Sequence, residues 1–219
     1  MPLELPLFPL RTVLFPGMRL PLRIFEERYR VMVRELLESG GEFGVVLIRE
    51  GPEVGPGAIP HDVGTAARIA SCEATPDGRF MLTALGTWRF RINALLPPRP
   101  YPCGDVIPLD DTDGPLTPRL KAALETVRAT FPLYFRLVLS LTDQWARGLD
   151  LPETPHRLVN FLGQWLQVGE DVKQRLLEME PAEDRVSYLA EVLDDLILRT
   201  KDAVIEHRRK KYGALGIAN

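Results

Sequence analysis

Along residues 1–110, apolar positions recur mostly at every second place, the period of a strand with one buried face. Six short runs predict strands: Val13–Phe15, Arg19–Ile24, Gly44–Ile48, Ala66–Cys72, Phe80–Leu85 and Arg89–Leu95. Each is bounded by Gly, Pro or Asp. The clearest hairpin places Thr75-Pro76-Asp77-Gly78 between two such runs, where Pro at the second turn position followed by Asp-Gly presets a reversal. A second turn is expected at Gly86-Thr87. Beyond it Trp88, Phe90 and Ile92 alternate with Arg89 and Arg91, which predicts one buried face and one wet face. One helix interrupts the strands. Phe25, Tyr29, Met32, Val33, Leu36 and Leu37 recur at helical spacing over Phe25–Ser39, and Gly40-Gly41 stops it. Residues 51–64, rich in Gly and Pro, read as a long surface loop of the kind that often carries function.

The pattern changes at Pro108–Thr117, where Pro, Asp, Thr and Gly replace the alternation and predict a linker. From there the period is helical. Pro118 suits a first helical position with Thr117 as its cap, and Pro132 should break or kink the chain before Leu133–Leu141. Thr154-Pro155 opens a further segment, Val172–Met179 a short one, and Pro181 a long one reaching Lys211. Two domains are expected: a β-rich one over residues 1–110, built as a small barrel with one inserted helix, and a helical bundle over 118–219. The fold class is α+β.

Composition narrows the function. The chain has 219 residues, 27 basic and 30 acidic side chains and a formal charge of −3, without the basic excess typical of nucleic-acid binders. Two cysteines, Cys72 and Cys103, form neither a disulfide framework nor a metal motif. The start lacks a basic, then apolar, leader, and no apolar run is long enough to span a membrane. The expected compartment is the cytoplasm.

No known chemistry is spelled out. There is no Gly-Lys dipeptide for a phosphate loop, no Gly-x-Ser-x-Gly elbow and no His-Glu-x-x-His. His61, His156 and His207 are far apart and read as solvated loop or helix residues. Asp110, Asp111 and Asp113 lack the distal Glu of a calcium loop and read as linker turns. The basic run around Arg208–Lys211 falls where a long helix ends, and cations there complement the helix dipole. No catalytic residue, metal or cofactor is expected.

Several stretches carry a resemblance. Leu5-Pro6-Leu7-Phe8-Pro9-Leu10-Arg11-Thr12-Val13-Leu14-Phe15-Pro16-Gly17-Met18 comes first, running on into Leu20–Tyr29. Val63–Ile69 comes next, then Pro76-Asp77-Gly78-Arg79 through Gly86–Ile92, then Lys173–Met179 followed by Arg185-Val186-x-x-Leu189. In this order they resemble the N-terminal domain of the Lon protease family. The resemblance implies a PUA-like β-barrel followed by a helical bundle, a module thought to engage substrates. The ATPase and Ser-Lys peptidase domains of that family are not matched, so neither activity carries over and a stand-alone binding protein is expected.

The leading expectation is therefore a non-enzymatic module for unfolded or apolar polypeptide segments, or for a protease or chaperone partner, with its oligomeric state open. A barrel edge can add an extended peptide as a strand, and apolar side chains beside it supply affinity. The candidate contact residues are Phe15, Met18, Phe25 and Tyr29, with Glu26, Glu27 and Arg28 as a polar rim. The i, i+4 spacing of Phe25 and Tyr29 is equally that of a core-facing pair. RNA binding is the alternative from another class. It rests on PUA-like barrels elsewhere and on Arg79, Arg89, Arg91 and the terminal basic run.

Overall fold

The computed structural model describes residues 3–97, 99–142, 144 and 149–213, with 208 and 210–213 described by backbone alone. Among these residues the architecture is mixed α/β. Its elements are β1 (Leu3–Leu10), β2 (Arg19–Ile24), α1 (Glu27–Ser39), β3 (Phe43–Glu50), β4 (Ile59–Ala74), β5 (Phe80–Leu96) and β6 (Cys103–Pro108). They continue with α2 (Pro118–Leu141), α3 (Pro155–Gly163), α4 (Glu170–Glu178) and α5 (Ala182–Gly213). No described helix is long and apolar enough to cross a membrane.

Two compact units emerge, and they divide the chain differently from the expected split. The first comprises residues 1–111 together with 160–180; the second comprises 112–159 and 181–219. The break lies near residue 111, and α4 falls in the first unit, where it packs on β4.

In the first unit the strands take the order β2-β5-β4-β3-β1-β6, and β5 also pairs with β6. The hydrogen-bonded circuit β1–β3–β4–β5–β6 thus returns to β1, with β2 added on β5. Only β1 and β3 run parallel. The two faces of these strands feed two cores. Leu5, Leu7, Val46, Ala66, Phe90 and Val106 form one cluster. Phe8, Phe43 and Val45 turn the other way, onto Tyr29, Met32, Val33 and Leu36 of α1. A strand buried on both faces needs apolar residues at every position, which is why β3 reads Phe-Gly-Val-Val-Leu-Ile. Gly44 and Gly64 make room for the Phe90 ring: a Cβ at Gly44 would sit 2.5 Å from it, and one at Gly64 2.8 Å.

Three local expectations are corrected. The first strand is Leu3–Leu10, and Val13–Phe15 lies in the loop after it. Pro6 and Pro9 hide that strand from sequence pattern. They are tolerated because Leu3–Pro6 pairs with β6 and Leu7–Leu10 with β3, so each half has a free side for a missing N–H. Gly86-Thr87 is no turn, since β5 runs straight through it. A Cβ at Gly86 would lie 2.4 Å from the Phe15 carbonyl, so this glycine serves a close backbone approach beside a register shift between β4 and β5. Finally, Arg89 faces no water. It is fully buried, because α4 brings its C-terminal carbonyls over that face. Arg89 Nη1 donates to the Leu177 and Met179 carbonyls, while Nε (2.8 Å) and Nη2 donate to Asp111. The Thr75–Gly78 turn is as expected. Gly78 N donates to Thr75 O at 2.8 Å, and Gly78 takes a left-handed φ of 74°.

In the second unit, Thr117 caps α2 by accepting from Leu120 N at 3.0 Å. The helix continues through Pro132. Burial of Val127, Phe131 and Tyr134 along one face offsets the roughly 3 kcal/mol such a residue costs. Along α5, Val186, Leu189, Leu193, Leu196 and Ile197 are buried at helical spacing, and α2 packs against this helix. His156, expected in solvent, is buried, with its Nδ1 2.8 Å from Nη1 of the buried Arg185. Asp113 accepts from His156 N at 3.0 Å, in the first turn of α3. Asp111 and Asp113 are thus both absorbed by structural contacts. The side chains of Arg208, Lys210 and Lys211 lie outside the described residues.

Candidate functional site

The most organised surface of the first unit lies where β2 gives way to α1. Glu26 has the extended backbone of an N-cap, but its side chain makes no cap hydrogen bond. It turns instead to the 51–58 loop. Its Oε2 accepts from Gly55 N at 3.0 Å and from Arg28 Nε at 3.1 Å, while Arg28 Nη2 donates to Gly55 O at 2.7 Å. One residue's backbone is thereby held by an acid and a base together. Gly55 has a φ of 87°, a conformation that excludes most side chains. The base of the loop is tied by Arg11, whose Nη2 donates to Gly51 O at 2.8 Å and whose N donates to Glu53 Oε1 at 3.0 Å.

Beneath this clasp, the Arg28 guanidinium lies 4.4 Å from the centre of the Tyr29 ring. Tyr29 is buried and packs edge-on against Phe8 at 4.3 Å. Burial pushes its hydroxyl pKa up to about 12, with Arg28 opposing the rise and Glu26 adding to it. The clasped loop and Pro100-Tyr101-Pro102 enclose a groove of about 400 Å³. Its lining includes Pro56, Pro100 and Pro102 and, as charged groups, Glu26 and Arg28. Tyr101 is also buried and donates to Glu35 Oε2, which together push its hydroxyl up to about 12.

The groove offers rigid rings, which lose little entropy on binding, and one fixed ion pair for orientation.

The structure brings Glu26, Arg28 and Tyr29 together and directs Phe15, Met18 and Glu27 elsewhere. Phe25 stands beside them, 48% exposed. Glu27 points elsewhere, bridging Arg30 at 2.6 Å and Arg34 at 3.4 Å. Phe15 is fully buried against Gly163, where a Cβ would come within 2.6 Å of its ring, so it is core rather than a contact residue. Met18 is half-buried on the α1-side core. Tyr29 supports the site from below. Sequence pattern did not single out Gly55, Pro56, Tyr101 or the flanking prolines. The Gly/Pro loop at 51–64 and the Pro-x-Pro before Cys103 were the available signals.

Two expected modes lose support here. Among the described strands β2 is paired only to β5, and Pro21 sits at its centre opposite Thr83. Proline cannot donate to a ladder, so the outer edge is interrupted where an added peptide strand would bond. For RNA, Arg89 is buried, Arg91 pairs with Glu180 at 2.6 Å, and Arg79 pairs with Asp77 at 3.2 Å.

Comparison with known proteins adds an independent line. Residues 4–195 match the family described as the ATP-dependent protease La (LON) substrate-binding domain. The chain is 26% identical over 196 residues to a Lon protease of Cytophaga hutchinsonii, covering 88% of this chain and 24% of that one. It is 27% identical over 199 residues to Lon protease 2 of Myxococcus xanthus, covering 88% and 24%. The chain thus spans about a quarter of the length of the curated relatives it matches. Among solved structures it is similar to a Lon N-terminal domain protein from Xanthomonas campestris. There the TM-score is 0.64 and the identity 28%, over 85% of this chain and 96% of that one. The N-terminal domain of a Mycobacterium avium complex Lon protease shares the fold, with TM-score 0.64 at 19% identity, over 88% and 98%.

Proposed function

Because the chain belongs to the Lon substrate-binding domain family, we propose that it is a polypeptide-binding module whose contact surface is the groove beside the Glu26–Arg28 clasp, with Phe25 at its margin. The observation that carries this reading is the groove itself, lined by Pro56, Pro100, Tyr101 and Pro102 together with the Glu26–Arg28 ion pair. Such a surface suits short apolar segments of many sequences. We read the strand circuit as a PUA-like barrel, the helices of the second unit as a small bundle, and the cytoplasm as the working compartment. In that setting the module acts as an adaptor that presents exposed segments to a protease or chaperone.

The test is fluorescence anisotropy with a labelled, permanently unfolded polypeptide and a labelled RNA, each across a salt series. Saturable polypeptide binding that survives moderate salt supports the reading. It should weaken about ten-fold in Phe25→Ala and Arg28→Ala, the scale of losing one interface anchor. Binding of RNA alone, with affinity falling steeply as salt rises, would replace it with the nucleic-acid alternative.

A further inference from the structure

On the other side of Tyr101 lies a second groove, of about 580 Å³, between the start of β1, the last turns of α1 and β5. Its apolar lining includes the buried Leu5 and Leu36 and the half-exposed Leu3. Trp88 forms part of the wall. Among the described residues three carboxylates stand around it, those of Glu4, Glu35 and Glu42, and none of its lining residues is a lysine or arginine. Glu42 Oε2 accepts from Trp88 Nε1 at 2.7 Å, and Glu35 Oε2 accepts from the Tyr101 hydroxyl. Both are therefore aimed by neutral donors and not by cations. Among the described residues only Glu4 has a basic partner, Arg99 at 2.6 Å, on the exposed lip.

This combination selects its occupant. An apolar floor favours a hydrophobic side chain, and oriented carboxylates around it favour a neighbouring cation and repel an anion. A nucleic acid or an acidic lipid would meet like charge. A small free cation would leave the floor unused. We propose that this groove binds polypeptide segments in which an apolar residue adjoins lysine or arginine. The inference rests on the polypeptide-binding reading above and adds to it a second contact site and a class of client.

Three labelled peptides with one common Leu/Phe core, flanked by Lys, Gln or Glu, test it by anisotropy at low and moderate salt. The Lys peptide should bind about ten-fold or more tightly than the Glu peptide at low salt, with the gap narrowing as salt rises. In the double variant Glu35→Gln, Glu42→Gln the acceptors for Tyr101 and Trp88 remain but the charges go. The Lys-over-Glu preference should then shrink to about two-fold while the Gln peptide binds as before. Glu4→Gln, at the exposed lip, gives a milder step in the same direction, and thermal melts confirm that each variant folds. Equal binding of the Lys and Glu peptides, or a preference that survives the double variant, overturns this inference and leaves the polypeptide-binding reading intact. Failure of every peptide to bind overturns both.

Discussion

Arg89→Met offers a direct test of how the first unit is held together. The substitution keeps an unbranched apolar stem in the buried space and removes the guanidinium. Four donated hydrogen bonds disappear: two to the Asp111 carboxylate and two to the Leu177 and Met179 carbonyls at the end of α4. Breaking a buried charge pair from one side costs about 3–5 kcal/mol, because the partner is left uncompensated. Asp111 keeps part of its surface in water and can rehydrate, which places the expected loss near the lower bound, about 3 kcal/mol. In a chain of this size that corresponds to a fall in Tm of roughly 6–12 °C. Urea unfolding and calorimetry measure it directly. The cycle with Asp111→Asn should show a coupling between the two residues of about 1–3 kcal/mol. A change within about 0.5 kcal/mol for Arg89→Met, the range of ordinary surface substitutions, would refute the argument.

The same structure sets other outcomes. Gly64→Ala would place a Cβ 2.6 Å from the Val45 carbonyl, a backbone atom that cannot step aside; a loss of about 1–3 kcal/mol is expected from the shift in urea midpoint. Thr117→Ala removes the cap on Leu120 N and should cost about 1 kcal/mol in a thermal melt, whereas Thr117→Ser should retain most of it. Tyr29 and Tyr101 have hydroxyl pKa values raised from 10 to about 12, so both favour the protonated folded state. Their contribution to stability is complete below pH 10 and is lost as pH rises from 10 through about 12. Ultraviolet titration should find both still protonated at about pH 11, with Tyr101 ionising earlier in Glu35→Gln.

Features decided by neighbours in sequence were legible from the chain. Helix α1 announces itself by the spacing of Tyr29, Met32, Val33 and Leu36, and the Thr75–Gly78 turn by its residue types. The cap at Thr117 needs only Leu120, three residues on. Features decided at long range were hidden. Leu3–Leu10 looks unlike a strand because its two prolines are rescued by partners elsewhere in the chain. The alternation at Arg89 implied a wet face because nothing local shows that α4 will cover it. The site obeys the same rule. Glu26 and Arg28 stand out beside a helix start, but their partner Gly55 lies 27 to 29 positions away. The Tyr101–Glu35 contact spans 66. For Phe15 nothing local shows its burial, because the Gly163 against which its ring packs lies far along the chain.

The interrupted path of the chain through the first unit has a consequence for synthesis. Arg89 waits 90 positions for the Met179 carbonyl, about 5–20 s at ordinary translation rates. Throughout that interval the strands can pair, yet a cationic side chain destined for the interior has no helix end to receive it. Residues 112–159, half of the other unit, emerge in between. The carbonyl partners of Arg89 are thus in place only once α4 has left the ribosome, so the first unit's full set of contacts is timed by its last segment, not by its last strand.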